Sequence, residues 1–326
     1  MKNTPAAPAG ATLPVGVRKH RVWFGWFDRR TLTENISMCW MVLPGLIWLV
    51  LFWLLPFPYI VIAFKDFKAI KGPFESEWNG WYNIEFFFNM PRGARLIRNS
   101  LAYGIWGLAT GWFNSSMMAI IYFHLRNNKA LRVYNTIMIL PNFMSVVMIA
   151  FIVKMLLHPT AGFFNQWITA LGGERIFFYR EAKWWPFIIV FGKIWAGIAM
   201  GSVMYYAHLM GMDPALLEAA EIDGANLFQR IIHILYPHMA PMIVTLLILN
   251  VGGIIGGDIG WHMIIPSGGQ VGETTEVLAV YTFSALMGGE LEKSSCMGIF
   301  FSMITLILTV IANLIVRKIQ PESAMF

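Results

Sequence analysis

The feature that most constrains this chain is a succession of apolar runs, each long enough to cross a membrane. A spanning helix needs roughly 20 mostly apolar residues. Because lipid offers the backbone no hydrogen-bond partners, continuous runs of this length can only be helices. The sequence therefore predicts an all-α polytopic membrane bundle of about six transmembrane helices, placed near residues 37–63, 99–123, 131–157, 185–210, 238–257 and 296–316.

Composition supports a membrane protein. The chain has 57% hydrophobic and only 13% charged residues, whereas a soluble domain carries about 25% charge. The net charge of +6 does not indicate nucleic-acid binding, because the basic residues gather at segment ends instead of along one helix face. Cys39 and Cys296 fall within apolar runs without metal-ligand spacing, so we interpret both as small apolar side chains.

Three regions follow from this pattern. Residues 1–35 form a basic and aromatic tail, residues 36–318 form the transmembrane domain, and residues 319–326 form a C-terminal tail.

An even number of spans places both termini on one side, and the positive-inside rule predicts that this side is the cytoplasm. The first long connection fits less well, since it also carries cations, although acids are mixed among them. The cations that set the orientation are Arg126, Lys129, Arg132, Arg317 and Lys318.

A polar-flanked stretch at residues 213–237 interrupts the apolar second half. Asp213 and the proline after it predict a helix start, because the carboxylate can cap free N–H groups and proline fixes φ. The pair Asp223 and Gly224 predicts its end. A second amphipathic run begins at Asn226 and leads into the fifth apolar segment. The sequence thus predicts a helix–turn–helix elbow, joined to a membrane helix and exposed to the cytoplasm.

Residue types and spacing within this elbow match a known motif. The matching residues, with Asp223 beside the glycine, are Glu218, Ala219, Ala220, Gly224, Ile234 and Pro237. The elbow therefore resembles the EAA loop of permease subunits in bacterial ABC importers, in which this loop is the cytoplasmic coupling helix that docks on the ATPase subunit. Tyr236 departs from the leucine that is usual there. The alternative interpretation is an ordinary amphipathic hairpin on the membrane surface.

The resemblance extends to both ends of the transmembrane domain. The opening, Leu43–Phe67, and the close, Thr275–Leu308, are similar to the polysaccharide-type branch of carbohydrate ABC permeases, including importers of alginate fragments. This implies a type I importer permease, maltose-transporter-like, in the bacterial inner membrane. It also implies an oligosaccharide or polysaccharide substrate, with an acidic one such as an alginate fragment included.

The same resemblance implies partners and excludes an activity. The partners are a second homologous permease of different sequence, an ATPase subunit dimer that binds ATP and Mg, and an extracytoplasmic solute-binding protein. The chain itself would be no enzyme, would hold no cofactor and would bind no nucleic acid. A membrane-embedded glycosyltransferase and a secondary transporter remain as alternatives. The first would need a carboxylate or metal cluster, and the second would show two related halves with interrupted helices.

Other patterns point away from nucleotide, metal or acid–base sites. The glycine-rich stretch Gly268–Thr275 is no phosphate-binding loop, because Glu273 stands where that motif needs lysine. The histidines lack paired metal-ligand spacing. We expect solvated carboxylates without a fixed scaffold in the external connection before the last helix, at Asp258, Glu273, Glu276, Glu290 and Glu292.

Polar residues inside the apolar runs are the candidates for a transport pathway. An ionisable group in a bilayer is costly and usually faces a bundle interior or a watery cavity. The alternative is a buried structural pair. The candidate pathway residues are Lys193, Trp195, Gly197, Asn250, Gly253 and Asp258. Glycines at four-residue intervals should also let helices approach closely, namely Gly197 and Gly201 in the fourth segment and Gly252, Gly253, Gly256 and Gly257 in the fifth.

Overall fold

Helices account for most of the chain in this computed structural model. It describes residues 40–125 and 127–320, with only the backbone described for Asn128 and Ile319. The basic N-terminal tail, Cys39, Arg126 and the end of the C-terminal tail lie outside the described residues. In chain order the helices are α1 Trp40–Phe64, α2 Gly72–Glu75, α3 Tyr82–Asn89, α4 Gly93–His124, α5 Asn128–Ile139, α6 Val146–Leu156, α7 Phe163–Ala170, α8 Trp185–Met210, α9 Ala215–Ile222, α10 Leu227–Arg230, α11 Tyr236–Val251, α12 Gly272–Thr275, α13 Leu278–Met287 and α14 Leu291–Ile319.

Short irregular elements complete the chain. Two residues in each of β1, Lys65–Asp66, and β2, Glu77–Trp78, pair antiparallel with Lys65 opposite Trp78. Turns of 3-10 helix precede or follow several α-helices, at Phe57–Phe64, Leu140–Phe143 and Ala182–Trp184. Turns of π-helix occur at Val50–Leu54, Ile231–Leu235 and Gly260–Ile264.

The chain divides into two compact units, Met1–Tyr59 and Ile60–Phe326. The first unit is described from Trp40 and holds most of α1, an apolar helix with a mean hydropathy of 2.3. Pro56 and Pro58 supply no backbone N–H, so the α-helical ladder cannot continue through them. The helix therefore changes to π and then to 3-10 geometry near its end.

The second unit is built on the packing of α4 against α8. Gly201 of α8 lies directly over Ser115 of α4, where a Cβ on the glycine would come within 2.4 Å of the serine Oγ. This glycine permits the close approach that the sequence predicts. Gly197 does not, because a Cβ there would meet nothing within 4 Å.

Four described helices are long and apolar enough to cross a membrane, or five if one bent pair counts as a single span. The expected fold class, an all-α membrane bundle, is confirmed, with four or five helices meeting this criterion among the described residues where about six were expected. The helix α4 has 32 residues, about 48 Å at 1.5 Å per residue. It carries several polar residues, of which Asn99, Ser115 and Ser116 are buried.

The predicted third segment, residues 131–157, is not one straight helix. The helical stretch Lys129–Phe143 and α6 meet at 99°. Pro141 begins the 3-10 turn that ends the first stretch. Ser145 then caps α6, since its Oγ accepts a hydrogen bond from the N–H of Met148 at 3.3 Å. Both residues are ordinary boundary signals, and the hydropathy of the run conceals them.

The predicted fifth segment is wrong at both ends. The helical stretch Leu227–Val251 runs unbroken through α10, a π turn and α11, so the second arm of the elbow and the membrane helix are one element. The helix ends at Val251, and residues 252–256 form turns. Gly257 follows with φ +67. The glycines after Val251 therefore lie beyond the end of the helix, although Gly252 contacts α14, where its carbonyl accepts a hydrogen bond from Thr305 Oγ1 at 3.2 Å.

The predicted unscaffolded connection before the last helix is folded instead. Asn99 of α4 donates from Nδ2 to the carbonyls of Glu273 and Glu276 at 3.0 and 2.9 Å. The Glu276 carboxylate lies 3.7 Å from both Arg92 and Arg95. Sequence reasoning missed this scaffold because its partners are more than 170 residues apart in the chain.

Candidate functional site

A cavity of about 450 Å³ opens between α4, α8, α11 and the turn after α11. Its walls come from α4 between Tyr103 and Ser115, from α8 between Lys193 and Tyr205, and from residues 246–262. The volume lies within the range of roughly 300–1,000 Å³ that is usual for ligand sites. The wall is mainly apolar and aromatic, with a few polar side chains.

Four of the candidate pathway residues line this one cavity. Lys193, Asn250, Gly253 and Asp258 all contribute to its wall, although Gly253 and Asp258 reach it from the turn and not from a helix. The Asn250 amide donates to the Leu246 carbonyl at 2.7 Å within α11.

The other two candidates lie elsewhere on α8. Gly197 lines an adjoining cavity of about 210 Å³, which Lys193 also borders. Trp195 lines none of the cavities described here and is 39% exposed. The structure therefore gathers Lys193, Asn250, Gly253 and Asp258 and separates Trp195 from them.

His262 is the cavity residue that sequence reasoning missed. It is buried in the π turn Gly260–Ile264. Its Nε2 lies 3.3 Å from the Lys193 Nζ, and its Nδ1 lies 3.2 Å from the carbonyl oxygen of Thr275. His262 and Lys193 are 69 residues apart in the sequence, so no local sequence pattern predicts their contact.

The structure contains the predicted elbow. The Asp213 carboxylate accepts a hydrogen bond from the N–H of Ala215 at 3.0 Å, at the start of α9. At the other end, the N–H of Ala225 bonds to the Ala220 carbonyl at 2.9 Å and the N–H of Gly224 to the Glu221 carbonyl at 3.2 Å. These two bonds form a Schellman motif, which needs a left-handed residue. Gly224 supplies it with φ +76.

A capping box begins the second arm of the elbow. The Asn226 side chain accepts from the N–H of Gln229 at 2.9 Å, and the Gln229 side chain accepts from the N–H of Asn226 at 2.8 Å. Two otherwise unpaired donors are satisfied reciprocally. The sequence carries this signal as an Asn followed three residues later by Gln, and sequence reasoning noted only the Asn as the start of the run.

One side of the elbow packs onto the bundle. Leu217 and Ile234 contact a buried cluster that includes Leu209 of α8 and Met239 of α11. Among the motif residues, Ala220 and Ile234 are half-buried, whereas the exposed ones are Glu218, Ala219, Asp223, Gly224 and Pro237.

Other apolar residues of the elbow are exposed. Ile222 is 86% exposed and Phe228 is 71% exposed. The exposed apolar residues, hereafter the elbow surface, are Leu216, Ile222, Leu227, Phe228 and Ile232. Large exposed apolar patches usually mark an interaction site.

Within the described residues, no three His, Cys, Asp or Glu side chains are grouped as a metal site would require. In the glycine-rich stretch, the threonine hydroxyls donate hydrogen bonds to backbone carbonyls of the protein. Thr274 Oγ1 donates to the Ala182 carbonyl at 2.6 Å, and Thr275 Oγ1 donates to the Val271 carbonyl at 3.1 Å. Both hydroxyls therefore serve the scaffold around the cavity.

Comparison with known proteins identifies the family. Residues 111–323 match the family described as binding-protein-dependent transport system inner membrane component. This match covers more than half of the chain and includes α8, the elbow and α11. The chain belongs to this family. It is therefore a permease subunit, a multi-pass protein of the inner membrane, and the resemblance to ABC importer permeases is confirmed.

Two relatives from Bacillus subtilis (strain 168) extend the similarity beyond the family segment. The polygalacturonan/rhamnogalacturonan transport system permease protein YteP is 30% identical over 284 residues, covering 86% of this chain and 88% of that protein. Protein LplB is 29% identical over 311 residues, covering 90% and 96%. The permease therefore aligns with these relatives over most of their length.

Solved structures show the same fold. A bacterial ABC transporter involved in the import of the acidic polysaccharide alginate matches with a TM-score of 0.80 and 26% identity, covering 89% of this permease and 99% of that chain. The alginate transporter in complex with a periplasmic protein bound to alginate pentasaccharide matches with a TM-score of 0.81 and 26% identity, covering 90% and 97%. These matches favour the ABC permease over a glycosyltransferase or a secondary transporter, and they support a binding-protein partner.

Proposed function

We propose that this permease moves an oligosaccharide, of acidic type, into the cytoplasm through a path shared with a second homologous permease of different sequence. An ATPase subunit dimer that binds ATP and Mg supplies the energy. An extracytoplasmic binding protein delivers the sugar. The names of the relatives support the sugar class, since polygalacturonan and alginate are both acidic polysaccharides.

The observation that carries this proposal is the unbroken helix Leu227–Val251. Its 25 residues span about 37 Å. Leu227 and Phe228, at one end, belong to the exposed elbow surface, and Asn250, at the other end, lines the cavity. Because the helix is continuous, displacement of its elbow end by a partner would be transmitted towards the cavity wall. That is the mechanical requirement for alternating access.

The elbow surface is the proposed site for the ATPase. Exposure of large apolar side chains such as Ile222 and Phe228 to water is unfavourable unless a partner covers them. Glu218 and Asp223 add acidic groups that can pair with cations in the partner's cleft. Ile234 packs on the buried cluster of the bundle, Ala220 is half-buried, and Pro237 lies in the first turn of α11. In this proposal the elbow and both termini lie in the cytoplasm, in agreement with Lys129, Arg132, Arg317 and Lys318.

Co-purification and transport test the proposal together. The permease is expressed with its proposed partners, purified, and reconstituted with the binding protein for ATP-dependent uptake of an oligogalacturonate. Phe228→Ala should weaken the affinity for the ATPase about 30-fold, and so lower the amount of co-purified ATPase, because an aromatic anchor in an interface contributes about 2 kcal/mol or more. Glu218→Lys should lower it as well.

A matched control is available in Phe187, which is 70% exposed on α8, compared with 71% for Phe228. Phe187→Ala should leave the ATPase bound. Normal ATPase recovery with Phe228→Ala and Glu218→Lys would show that the elbow surface is not the docking site. Absence of ATP-dependent uptake by the intact wild-type complex would reject the substrate class.

A further inference from the structure

Lys193 places an ammonium group on the wall of the cavity without an acidic partner in contact. None of the ion pairs within 4 Å between described residues includes Lys193. Its one polar contact there is His262 at 3.3 Å. Asp258 acts on the ammonium only at longer range. The Asp258 Oδ1 accepts hydrogen bonds from the N–H groups of Gly260 and Trp261 at 2.8 and 3.3 Å.

The geometry defines the role of each His262 nitrogen. A carbonyl oxygen can only accept, so Nδ1, which lies 3.2 Å from the Thr275 carbonyl, carries the proton. An ammonium can only donate, so Nε2 is the lone-pair acceptor for Lys193. With Lys193 protonated, His262 is the neutral tautomer and accepts a hydrogen bond from one of the three ammonium N–H groups. The other two N–H groups of Lys193 remain for a ligand in the cavity.

The His262 ring is held from several sides. Its edge meets the Tyr103 ring with centroids 4.4 Å apart. The Tyr103 hydroxyl donates to the Thr274 carbonyl at 2.9 Å, next to the carbonyl that His262 uses. The adjacent Trp261 ring lies against Gly192, where a Cβ would come within 2.5 Å of it. The π turn thus packs against α8 at Gly192, one residue before Lys193. This contact fixes the direction in which the Nε2 atom of His262 points.

We propose that Lys193 recognises a carboxylate of the transported saccharide and that His262 is its positioning residue. This inference rests on the proposed function and names the group that recognises the negative charge of the sugar. A cation held by a neutral acceptor keeps its full charge, whereas an ion pair with a protein carboxylate would cancel it. A carboxylate entering the cavity gains a charge-assisted hydrogen bond, and a neutral sugar of the same shape does not.

Paired substrates test the inference in the reconstituted complex with ATPase and binding protein. The probes are a galacturonate pentamer and its fully methyl-esterified form, which has the same length without the charge. Each variant is compared with wild type on the same substrate, so selectivity of the binding protein cancels. Lys193→Met should lower uptake of the charged pentamer at least tenfold and leave uptake of the ester unchanged.

The remaining variants separate position from charge. His262→Phe keeps a ring but removes the acceptor, so it should lower uptake of the charged pentamer severalfold, and His262→Gln, which restores a donor and an acceptor, should recover it. Lys193→Arg should retain uptake. Lys154→Met, which removes an exposed lysine of α6, is the control for charge loss and should have no effect. Co-purified partners report whether each complex is assembled.

Two results would overturn the inference while leaving the proposed function intact. In both, the wild-type complex transports the charged pentamer. In the first result, Lys193→Met leaves uptake of the charged pentamer unchanged. In the second, Lys193→Met lowers uptake of both sugars equally. Failure of Lys193→Arg to retain uptake would also count against recognition by charge. If the wild-type complex transported neither sugar, the proposed function would fail first and the role of Lys193 with it.

Discussion

Gly224 offers the sharpest test of the elbow, because its role is conformational. It lies at φ +76 in the Schellman motif that joins α9 to α10. A Cβ at this position would meet nothing within 4 Å among the described residues, so a substitution meets no steric obstacle in that part of the chain. The substitution instead forces an L-residue into the left-handed backbone region, which costs roughly 1–2 kcal/mol. A β-branched residue such as valine lies at the upper end of this range.

This cost should appear as a loss of ATPase affinity. Gly224→Val should lower the population of the native elbow, and hence the affinity for the ATPase, about 5- to 30-fold, since each 1.4 kcal/mol corresponds to about tenfold. The bundle should stay folded, because Gly224 is exposed and outside its core. The assay is titration of the ATPase dimer against permease variants in nanodiscs, with thermal unfolding as the measure of the bundle.

Gly224→Asn is the control, because asparagine tolerates the left-handed region far better than valine. Asn should retain most of the affinity. Wild-type affinity for Gly224→Val would refute the conformational argument. Equal losses for Asn and Val would show instead that a side chain at this position collides with the partner.

Three further predictions concern orientation and packing. Single cysteines placed in residues 213–237 should resist an impermeant thiol reagent in whole cells, whereas those in residues 268–292 should react, and external labelling of the first set would end the proposed orientation. Gly201→Val should destabilise the purified permease by about 1–3 kcal/mol through overpacking on Ser115, with partial recovery in the double variant with Ser115→Gly. A lack of recovery would contradict the close contact. Asn99→Leu should cost about 1–3 kcal/mol in thermal unfolding, because two carbonyls lose their donor, and an unchanged stability would show that those bonds contribute nothing.

The predictions that succeeded depend on chemistry within a few residues. Asp213 begins α9 and Gly224 ends its turn, as predicted, because helix caps and left-handed turns are decided by neighbouring backbone groups. The all-α fold followed from long apolar runs, since a membrane allows the backbone no other arrangement for them. The family resemblance rests on the same local pattern, which the elbow preserves in residue type and spacing.

Two expectations failed because hydropathy averages over a run and cannot show where a helix breaks or ends. The break before α6 was overlooked because Pro141 and Ser145 lie within a continuously apolar stretch. The glycines after Val251 were assigned to helix packing because a four-residue interval does not show whether the helix continues.

The sequence by itself determined the all-α class of this permease and the turn of its elbow. It also determined which polar residues are unusual within apolar runs, including Lys193 and Asn250. Only the tertiary structure decided that Lys193 faces His262, 69 residues away, and that Asn99 holds the segment before the last helix. The physical reason is distance along the chain. Caps and turns form between neighbours, whereas the partner of a buried polar group is chosen by packing of the whole bundle.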